Sequence, residues 1–173
     1  VRGDGNSRAS LAISCGGNHT CGIRNSDKAV RCWGEAIDGQ TLVNQEDAFA
    51  MVSAGSHHTC GIRSDDKTVD CWGNDEYDQV GDVPGEIAFA SISAGGNHTC
   101  GIRSNDRGVE CWGNNDFGQA EAPLGAFAAI SAGTDHTCGI RSDDSAVECW
   151  GKNSNGQTNS PTGAASAVAA GGA

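Results

Sequence analysis

Apolar residues occur along the chain in short runs, and clusters of glycine, aspartate and asparagine separate these runs. Typical runs read AFAMVSAG, HTCGIR and VDCWG. No stretch sustains the i, i+3, i+4, i+7 spacing of an amphipathic helix, and glycine recurs too often for one. Short runs at intervals of roughly 8–12 residues are typical of β-strands joined by turns. The pattern therefore predicts an all-β protein.

The same order of runs recurs several times. Each unit opens with a small-apolar stretch, continues with HTCGIR and CWG, and closes with a polar loop that ends in glutamine. Aligning the units places an N-terminal segment at 1–8, repeats at 9–47, 48–87, 88–125 and 126–163, and the start of a fifth repeat at 164–173. Three or four strands in each period of about 40 residues predict a β-propeller blade. We expect an incomplete ring or a piece of a longer chain.

Eight of the nine cysteines form four pairs, and the members of each pair are eleven positions apart. If HTCGIR and VDCWG are the arms of a hairpin, Cys60 faces Cys71 and Ile62 faces Val69. Asp65-Asp66 then forms a two-residue turn. The other units place the equivalent turns at Ser26-Asp27, Asn105-Asp106 and Asp143-Asp144.

The simplest interpretation of each cysteine pair is a disulfide across the hairpin, because opposed cysteines in neighbouring strands reach bonding distance. Reduced cysteines are the alternative. Four disulfides persist only under oxidising conditions, so we expect an extracellular or cell-surface protein. The predicted pairs are Cys21–Cys32, Cys60–Cys71, Cys100–Cys111 and Cys138–Cys149. Cys15 stands where other units have alanine, and we expect it to be unpaired or intermolecular.

Composition and charge restrict the classes of partner. The 173 residues are 37% apolar and 5% aromatic, which suits many thin sheets better than one thick core. The net charge of −11 argues against nucleic acid and anionic membranes as partners. No apolar run approaches the roughly 18 residues of a spanning helix. The chain begins at Val1 without a secretory leader, so we expect a processed protein or an excised piece.

The stretch SAGGNHTCGIRSNDRGVECWGNNDFGQ resembles the repeat of RCC1-type β-propellers, with its Gly-x-x-His opening, Trp-Gly and Gly-Gln. The cysteine-bearing version is similar to repeats of secreted bacterial proteins and of plant crinkly receptor kinase ectodomains. The resemblance covers nearly all of residues 9–173 and implies a seven-bladed fold for the family. Nothing in the sequence matches the loops on which the family's nucleotide-exchange and chromatin roles depend.

Three other residue types recur at fixed places. We interpret the histidines as structural, each bonding a turn beside a strand, in preference to metal ligands. We expect the tryptophans to pack between blades with the indole N–H bonded to a loop, in preference to stacking on sugars. Arginines lie diagonally opposite acids in three units. These sets are His19, His58, His98 and His136; Trp33, Trp72, Trp112 and Trp150; and the pairs Arg63–Asp70, Arg103–Glu110 and Arg141–Glu148.

Several weaker motifs are present. Asn18 and Asn97 each begin an Asn-His-Thr sequon, so both are candidate N-glycosylation sites in a eukaryotic host. Arg2-Gly3-Asp4 matches an integrin-binding tripeptide. The acidic loops contain many oxygen ligands but no EF-hand spacing, so no metal site is predicted.

No nucleophile elbow, phosphate-binding loop or zinc-protease motif occurs in the sequence, so no enzyme, catalytic residue or cofactor is predicted. The loops EAIDGQ, NDEYDQ, NNDFGQ and KNSNGQ vary most between units. Loops on a rigid scaffold commonly carry binding functions. We therefore expect a non-catalytic extracellular interaction or structural module that contacts a protein partner or other copies of the chain. A lectin or enzyme inhibitor, with a glycan among its candidate ligands, is the alternative.

Overall fold

The computed structural model describes residues 13–43 and 46–171. Arg2-Gly3-Asp4, the rest of the N-terminal segment and the first residues of repeat 1 lie outside the described residues. All regular secondary structure in the described part is β-strand, in agreement with the predicted all-β class. The strands are β1 Ile13–Cys15, β2 His19–Ile23, β3 Val30–Gly34, β4 Phe49–Ala54, β5 His58–Arg63, β6 Val69–Gly73, β7 Phe89–Ala94, β8 His98–Arg103, β9 Val109–Gly113, β10 Phe127–Ala132, β11 His136–Arg141 and β12 Val147–Gly151.

The twelve strands form four antiparallel sheets of three strands each, in the order of the chain. We call these sheets blades 1 to 4. The first strand of a blade comes from the small-apolar stretch, the second from HTCGIR and the third from CWG. The four described sheets do not close into a ring, so they form an open array of blades.

The hairpin register predicted from the cysteines is confirmed. Cys60 lies opposite Cys71 and Ile62 opposite Val69, and blades 1, 3 and 4 share this register. Disulfides join the four pairs in the structure, with Cα–Cα distances of 4.0–4.1 Å. Cys15 carries no disulfide and is exposed.

The predicted two-residue turn is wrong. Residues 64–67 all lie between the last paired positions, where Arg63 N donates to Thr68 O at 2.9 Å. Asp66 Oδ1 accepts from Thr68 N at 2.9 Å. Lys67, and not Asp66, has the left-handed backbone conformation, with φ of 66°. A four-residue loop of this kind is a common alternative to the two-residue hairpin. Lys28, Arg107 and Ser145 have the same conformation.

The apolar core lies between blades. One cluster joins Cys60, Ile62 and Val69 of blade 2 to Phe89 and Ile92 of blade 3. A matching cluster joins blade 1 to blade 2. Each such layer is thin, and a blade is therefore stabilised largely by its neighbours.

Inside a blade, the phenylalanine of the first strand packs closely over a glycine of the second. A Cβ on Gly61 would lie 2.5 Å from Phe49 Cδ1, so only glycine fits beneath that ring. Phe49 also contacts Trp72, with ring centroids 5.8 Å apart. Blades 3 and 4 repeat both contacts.

Residues 164–171 follow the path of a first strand for a fifth blade. Ala146 bridges Ala164 as Ala29 bridges Ala48 in the first unit. Ala170 N donates to Ser131 Oγ at 2.9 Å, the bond that Ala132 N and Ser93 Oγ make one blade earlier. No second strand lies beside residues 164–171 in the described part of the chain.

Candidate interaction surface

Strand direction gives the array two opposite faces. The first and third strands of a blade run toward one face, which we call the loop face. It contains residues 16–18, 55–57, 95–97 and 133–135, which join the first two strands, and 35–40, 74–79, 114–119 and 152–157, which follow the third. Backbone bonds hold the two kinds of loop together, for example Asn74 N to His57 O at 2.9 Å. The turns 24–28, 63–67, 103–107 and 141–145 form the opposite turn face.

Buried glutamines shape the longer loops. Gln79 is fully buried, and its Oε1 accepts from Tyr77 N at 2.9 Å while its Nε2 donates to Asn74 Oδ1 at 2.9 Å. Gln40 Oε1 accepts from Asp38 N in the same way. Because the glutamine satisfies the backbone from inside, the other loop side chains are free to point outward.

A polar network ties each blade to the next. His19 Nε2 lies 2.7 Å from Thr59 Oγ1, and that hydroxyl donates to the carbonyl oxygen of Gln40 at 3.0 Å. The single hydroxyl hydrogen is thus used, so the imidazole donates through Nε2. Trp72 Nε1 donates to the same carbonyl at 2.9 Å. The histidine and the glutamine of one blade are therefore hydrogen-bonded to the threonine and the tryptophan of the following blade.

Burial keeps these histidines neutral. It lowers the pKa of His58 to about 3, with further lowering by the neighbouring histidines, and that of His98 to about 4. Burial also lowers the pKa of His19 and His136. The sequence prediction of a structural histidine is supported, but the predicted partner was wrong, because the ring bonds a threonine of the next blade instead of a turn. No cluster of His, Cys, Asp or Glu within residues 13–43 and 46–171 is arranged to hold a metal ion.

The tryptophan prediction is confirmed for three blades. The indoles of Trp72, Trp112 and Trp150 each donate to the carbonyl of the glutamine in the preceding blade. Trp112 is only 3% exposed, whereas Trp33 of blade 1 is 54% exposed because no described blade precedes it.

The predicted diagonal arginine pairs are also present. Arg63 bonds Asp70 at 2.9 Å, Arg141 bonds Glu148 at 2.9 Å, and Arg103 bonds Glu110. In blade 1, where Arg31 replaces the acid, Arg24 pairs with Asp27 of its own turn. Exposed pairs of this kind contribute little to stability.

Charge is distributed unevenly between the faces. Lys152 is the one lysine or arginine in the described loops of the loop face, and it pairs with Asp135 at 2.8 Å. The acids of this face are Glu35, Asp38, Asp75, Glu76, Asp78, Asp116 and Asp135. The turns of the turn face instead carry six acids and seven bases, which are Asp27, Asp65, Asp66, Asp106, Asp143 and Asp144 against Arg24, Lys28, Arg63, Lys67, Arg103, Arg107 and Arg141. Arg63, Arg103 and Arg141 also pair with Asp70, Glu110 and Glu148, which lie outside the turns. The loops of the loop face are therefore acidic, whereas ion pairs between both signs occupy the turn face.

Apolar and aromatic side chains lie among the loop-face acids. Ile37 is 84% exposed, Phe117 49% and Tyr77 38%. Lys152 Nζ lies 4.8 Å above the centre of the Phe117 ring. Asn18 and Asn97, the candidate glycosylation sites, also lie on this face, with Asn18 the more exposed. The loop face thus combines exposed apolar and aromatic side chains with a strong negative charge.

The comparisons with known proteins agree with this architecture. The profile of the Regulator of chromosome condensation (RCC1) repeat matches residues 11–40, 52–79, 89–119 and 127–157, roughly two thirds of the chain. No curated protein sequence matches at a significant level.

Solved structures of similar fold include proteins from plants and yeast. The ectodomain of the Physcomitrella patens receptor kinase CR4 is 31% identical, with a TM-score of 0.80 over 93% of this chain and 45% of that one. The Arabidopsis thaliana ACR4 ectodomain is 32% identical, with a TM-score of 0.68 over 80% of this chain and 48% of that one.

Prp20p from Saccharomyces cerevisiae is 15% identical, with a TM-score of 0.76 over 92% of this chain and 53% of that one. This likeness concerns the fold alone. The chain spans about half the length of each of the three structures. The repeat matches, the four blades and the disulfide in each blade together show that the chain belongs to the RCC1 repeat family, in the cysteine-bearing variety found in crinkly ectodomains.

Proposed function

We propose that this chain is a non-catalytic extracellular interaction module whose loop face binds a protein with a basic surface. The observation that carries this proposal is the contrast between the two faces. Seven acids and one lysine lie in the loops of the loop face, whereas the turn face contains seven bases, and its arginines form ion pairs with neighbouring acids. A surface of one sign attracts partners of the opposite sign and accelerates their encounter.

The construction of the loops supports binding. Gln40, Gln79 and Gln119 are buried and hold the loop backbones, so side chains can vary outside without disturbing the fold. Tyr77 and Phe117 provide the exposed aromatic groups that commonly anchor protein interfaces. The loop face therefore offers a rigid surface with both anchors and charge.

Three further observations support an extracellular protein partner. Four disulfides are typical of oxidising compartments, and the crinkly structures to which the chain is similar are receptor kinase ectodomains. Prp20p, which shares the fold, is described by its binding to Gsp1p and histones, so a propeller of this kind has been used to bind proteins. The described residues contain no helix that is long and apolar enough to cross a membrane.

The test compares two charge-matched variants against an array of extracellular proteins and a parallel glycan array. The loop-face variant combines Glu76→Gln with Asp116→Asn, and its control combines Asp65→Asn with Asp143→Asn on the turn face. We expect the chain to bind a basic protein, with affinity that falls with salt and drops about tenfold or more in the loop-face variant alone. Loss of binding in the turn-face control, or binding to glycans only, would contradict the proposal.

A further inference from the structure

Loops of consecutive described blades meet on the loop face at three junctions, which share one construction. The glutamine of the longer loop of one blade packs against the glycine that ends the third strand of the next blade. A Cβ built on Gly113 would lie 3.0 Å from Gln79 Cβ, and one built on Gly151 would lie 3.0 Å from Gln119 Cβ. The junction of blades 2 and 3 therefore matches the junction of blades 3 and 4 in its backbone arrangement.

The junction of blades 3 and 4 shows how these loops bind a lysine. Lys152 Nζ lies 4.8 Å above the centre of the Phe117 ring and donates to Asp135 Oδ2 at 2.8 Å. The ring belongs to the longer loop of blade 3, and the carboxylate belongs to the shorter loop of blade 4. The face of an aromatic ring and a carboxylate both attract an ammonium group. One lysine of the chain is thus bound by a ring and an acid of the loop face.

The junction of blades 2 and 3 has the ring but not the lysine. Tyr77 corresponds to Phe117, because the backbone N–H of each donates to the buried glutamine of its own loop at 2.9 Å. Asn114 corresponds to Lys152, because each donates its backbone N–H to the residue that precedes the histidine of its blade. Among the described residues, no lysine or arginine lies over the Tyr77 ring.

Carboxylates accompany the Tyr77 ring on both loops of this junction. Glu76 and Asp78 flank Tyr77 in the chain and are exposed, and Asp116 belongs to the longer loop of blade 3. Asp116 Oδ2 accepts from Asn114 Nδ2 at 2.8 Å, which leaves the carboxylate with further lone pairs. Tyr77 itself is 38% exposed. The junction therefore offers a ring and acids to a cation from outside the chain.

The junction of blades 1 and 2 has neither feature in this form. Ile37 stands where the other two junctions have a ring. His57 Nδ1 lies 3.2 Å from Asp38 Oδ2, so this junction has a basic group of its own beside its acid. Of the three junctions between described blades, only the one between blades 2 and 3 combines a ring and acids with no base of the chain.

We propose that the junction of blades 2 and 3 binds a lysine side chain of the partner, with the ammonium group over the Tyr77 ring and paired with an adjacent carboxylate. The partner's lysine then has on Tyr77 the place that Lys152 has on Phe117. This inference rests on the proposed function, since it names the side chain that the loop face recognises. The acids attract a basic partner from a distance, and the ring fixes the position of one of its lysines.

The experiment titrates the full chain with hexalysine. Tyr77 is the only tyrosine in the sequence, so its ring protons can be assigned by NMR without ambiguity. We expect these signals to shift to saturation with hexalysine and to stay in place with fully acetylated hexalysine, which lacks the charges. Tyr77→Phe should retain the affinity. Tyr77→Ile should weaken it about two- to fivefold, and isoleucine suits the loop because Ile37 has the same place in blade 1.

Exchanging residues between the two junctions gives matched variants with unchanged net charge. Asn97→Asp with Asn114→Lys places a lysine over Tyr77, so hexalysine binding should weaken about two- to fivefold. Asp135→Asn with Lys152→Asn removes the lysine from Phe117, so hexalysine should then also shift the Phe117 ring signals. Disulfide mapping and a cooperative melt establish that each variant is folded.

Hexalysine binding that neither Tyr77→Ile nor the exchanges alter would overturn the inference, because the acids alone would then account for it. The absence of any hexalysine binding would overturn it as well. The proposed function is judged separately, by the array of extracellular proteins. A basic protein bound through Glu76 and Asp116 without any effect of Tyr77→Ile would support that function and overturn this inference. Hexalysine bound at Tyr77, with no basic protein bound on the array, would support the lysine site and contradict the function.

Discussion

Blades 1 and 3 carry the same HTCGIR and CWG sequences and the same disulfide, yet their side chains have different surroundings. Trp112 is 3% exposed in blade 3, and Trp33 is 54% exposed in blade 1. The strand register is the same in both. The HTCGIR and CWG sequences therefore specify two kinds of structure. The hairpin forms within a single blade, whereas the tryptophan contact forms only when a neighbouring blade is present.

The largest effect that we expect comes from acid. In the unfolded chain a histidine binds a proton near pH 6.5, whereas His58 and His98 stay neutral in the folded state down to about pH 3 and 4. The folded state therefore loses stability as pH falls from 6.5 toward 4, by roughly 1 kcal/mol per pH unit for each of these histidines. Urea unfolding at pH 7, 6, 5 and 4.5 measures this loss.

The edge histidine provides the comparison for that experiment. His136 faces the open edge and is less buried than His58, so His136→Gln should change the pH dependence less than His58→Gln does. Equal effects of the two substitutions would show that the neighbouring blade is not the cause of the lowered pKa.

The next effect concerns tryptophan. Trp112→Ala should destabilise the chain by about 3–5 kcal/mol, because it leaves a cavity between blades. Trp33→Ala should cost less than about 1 kcal/mol, because most of that side chain is in solvent. Thermal unfolding gives both values. Similar losses would mean that blade 1 is covered in solution.

The disulfides should behave alike in both blades. Replacing Cys100 and Cys111 by alanine removes a link across eleven positions, worth about 2.5–3 kcal/mol through the unfolded chain. Because Cys21 and Cys32 close a loop of the same length, their replacement should cost about as much. The free energy of unfolding in urea measures each loss, and a much smaller value for blade 1 would contradict the chain-entropy explanation, because the two loops have equal length.

The smallest effect concerns the threonine hydroxyl. Thr99→Val leaves the buried Nε2 of His58 without a partner and should cost about 1–2 kcal/mol. Thr20→Val in blade 1, which no described blade precedes, should cost almost nothing. Differential scanning calorimetry measures the loss of unfolding free energy in the two variants. An equal loss in both would contradict the inter-blade role of the threonine.

The hairpins could be predicted from the sequence because their evidence is local. Cysteines eleven positions apart fix the register of an antiparallel pair, and the tryptophan that follows each second cysteine indicates a recurring apolar contact. The turn length was predicted wrongly because Asp66 uses its side chain to bond Thr68 N, which moves the left-handed residue to Lys67.

The inter-blade network was harder to predict, because its partners belong to different units. His19 and Thr59 are forty positions apart, and spacing within a unit contains no sign of their bond. The threonine that follows every histidine was a usable signal, since a buried imidazole needs a hydroxyl or carbonyl partner. The charge difference between the faces could be recognised only from the fold, because acids of the loops and acids of the turns have similar surroundings in the sequence.

The short spacing within each cysteine pair also influences how the protein oxidises after synthesis. Four nearly identical HTCGIR segments offer many wrong partners of similar local structure. Closing the native loop spans eleven positions, whereas linking Cys21 to Cys71 of the next unit spans about fifty, which costs about 1.3 kcal/mol more in loop entropy, or roughly tenfold in probability. Among the eight paired cysteines, pairing within a unit is thus favoured over pairing between units before any blade has met its neighbour. The spacing acts as a kinetic safeguard against scrambling among near-identical units.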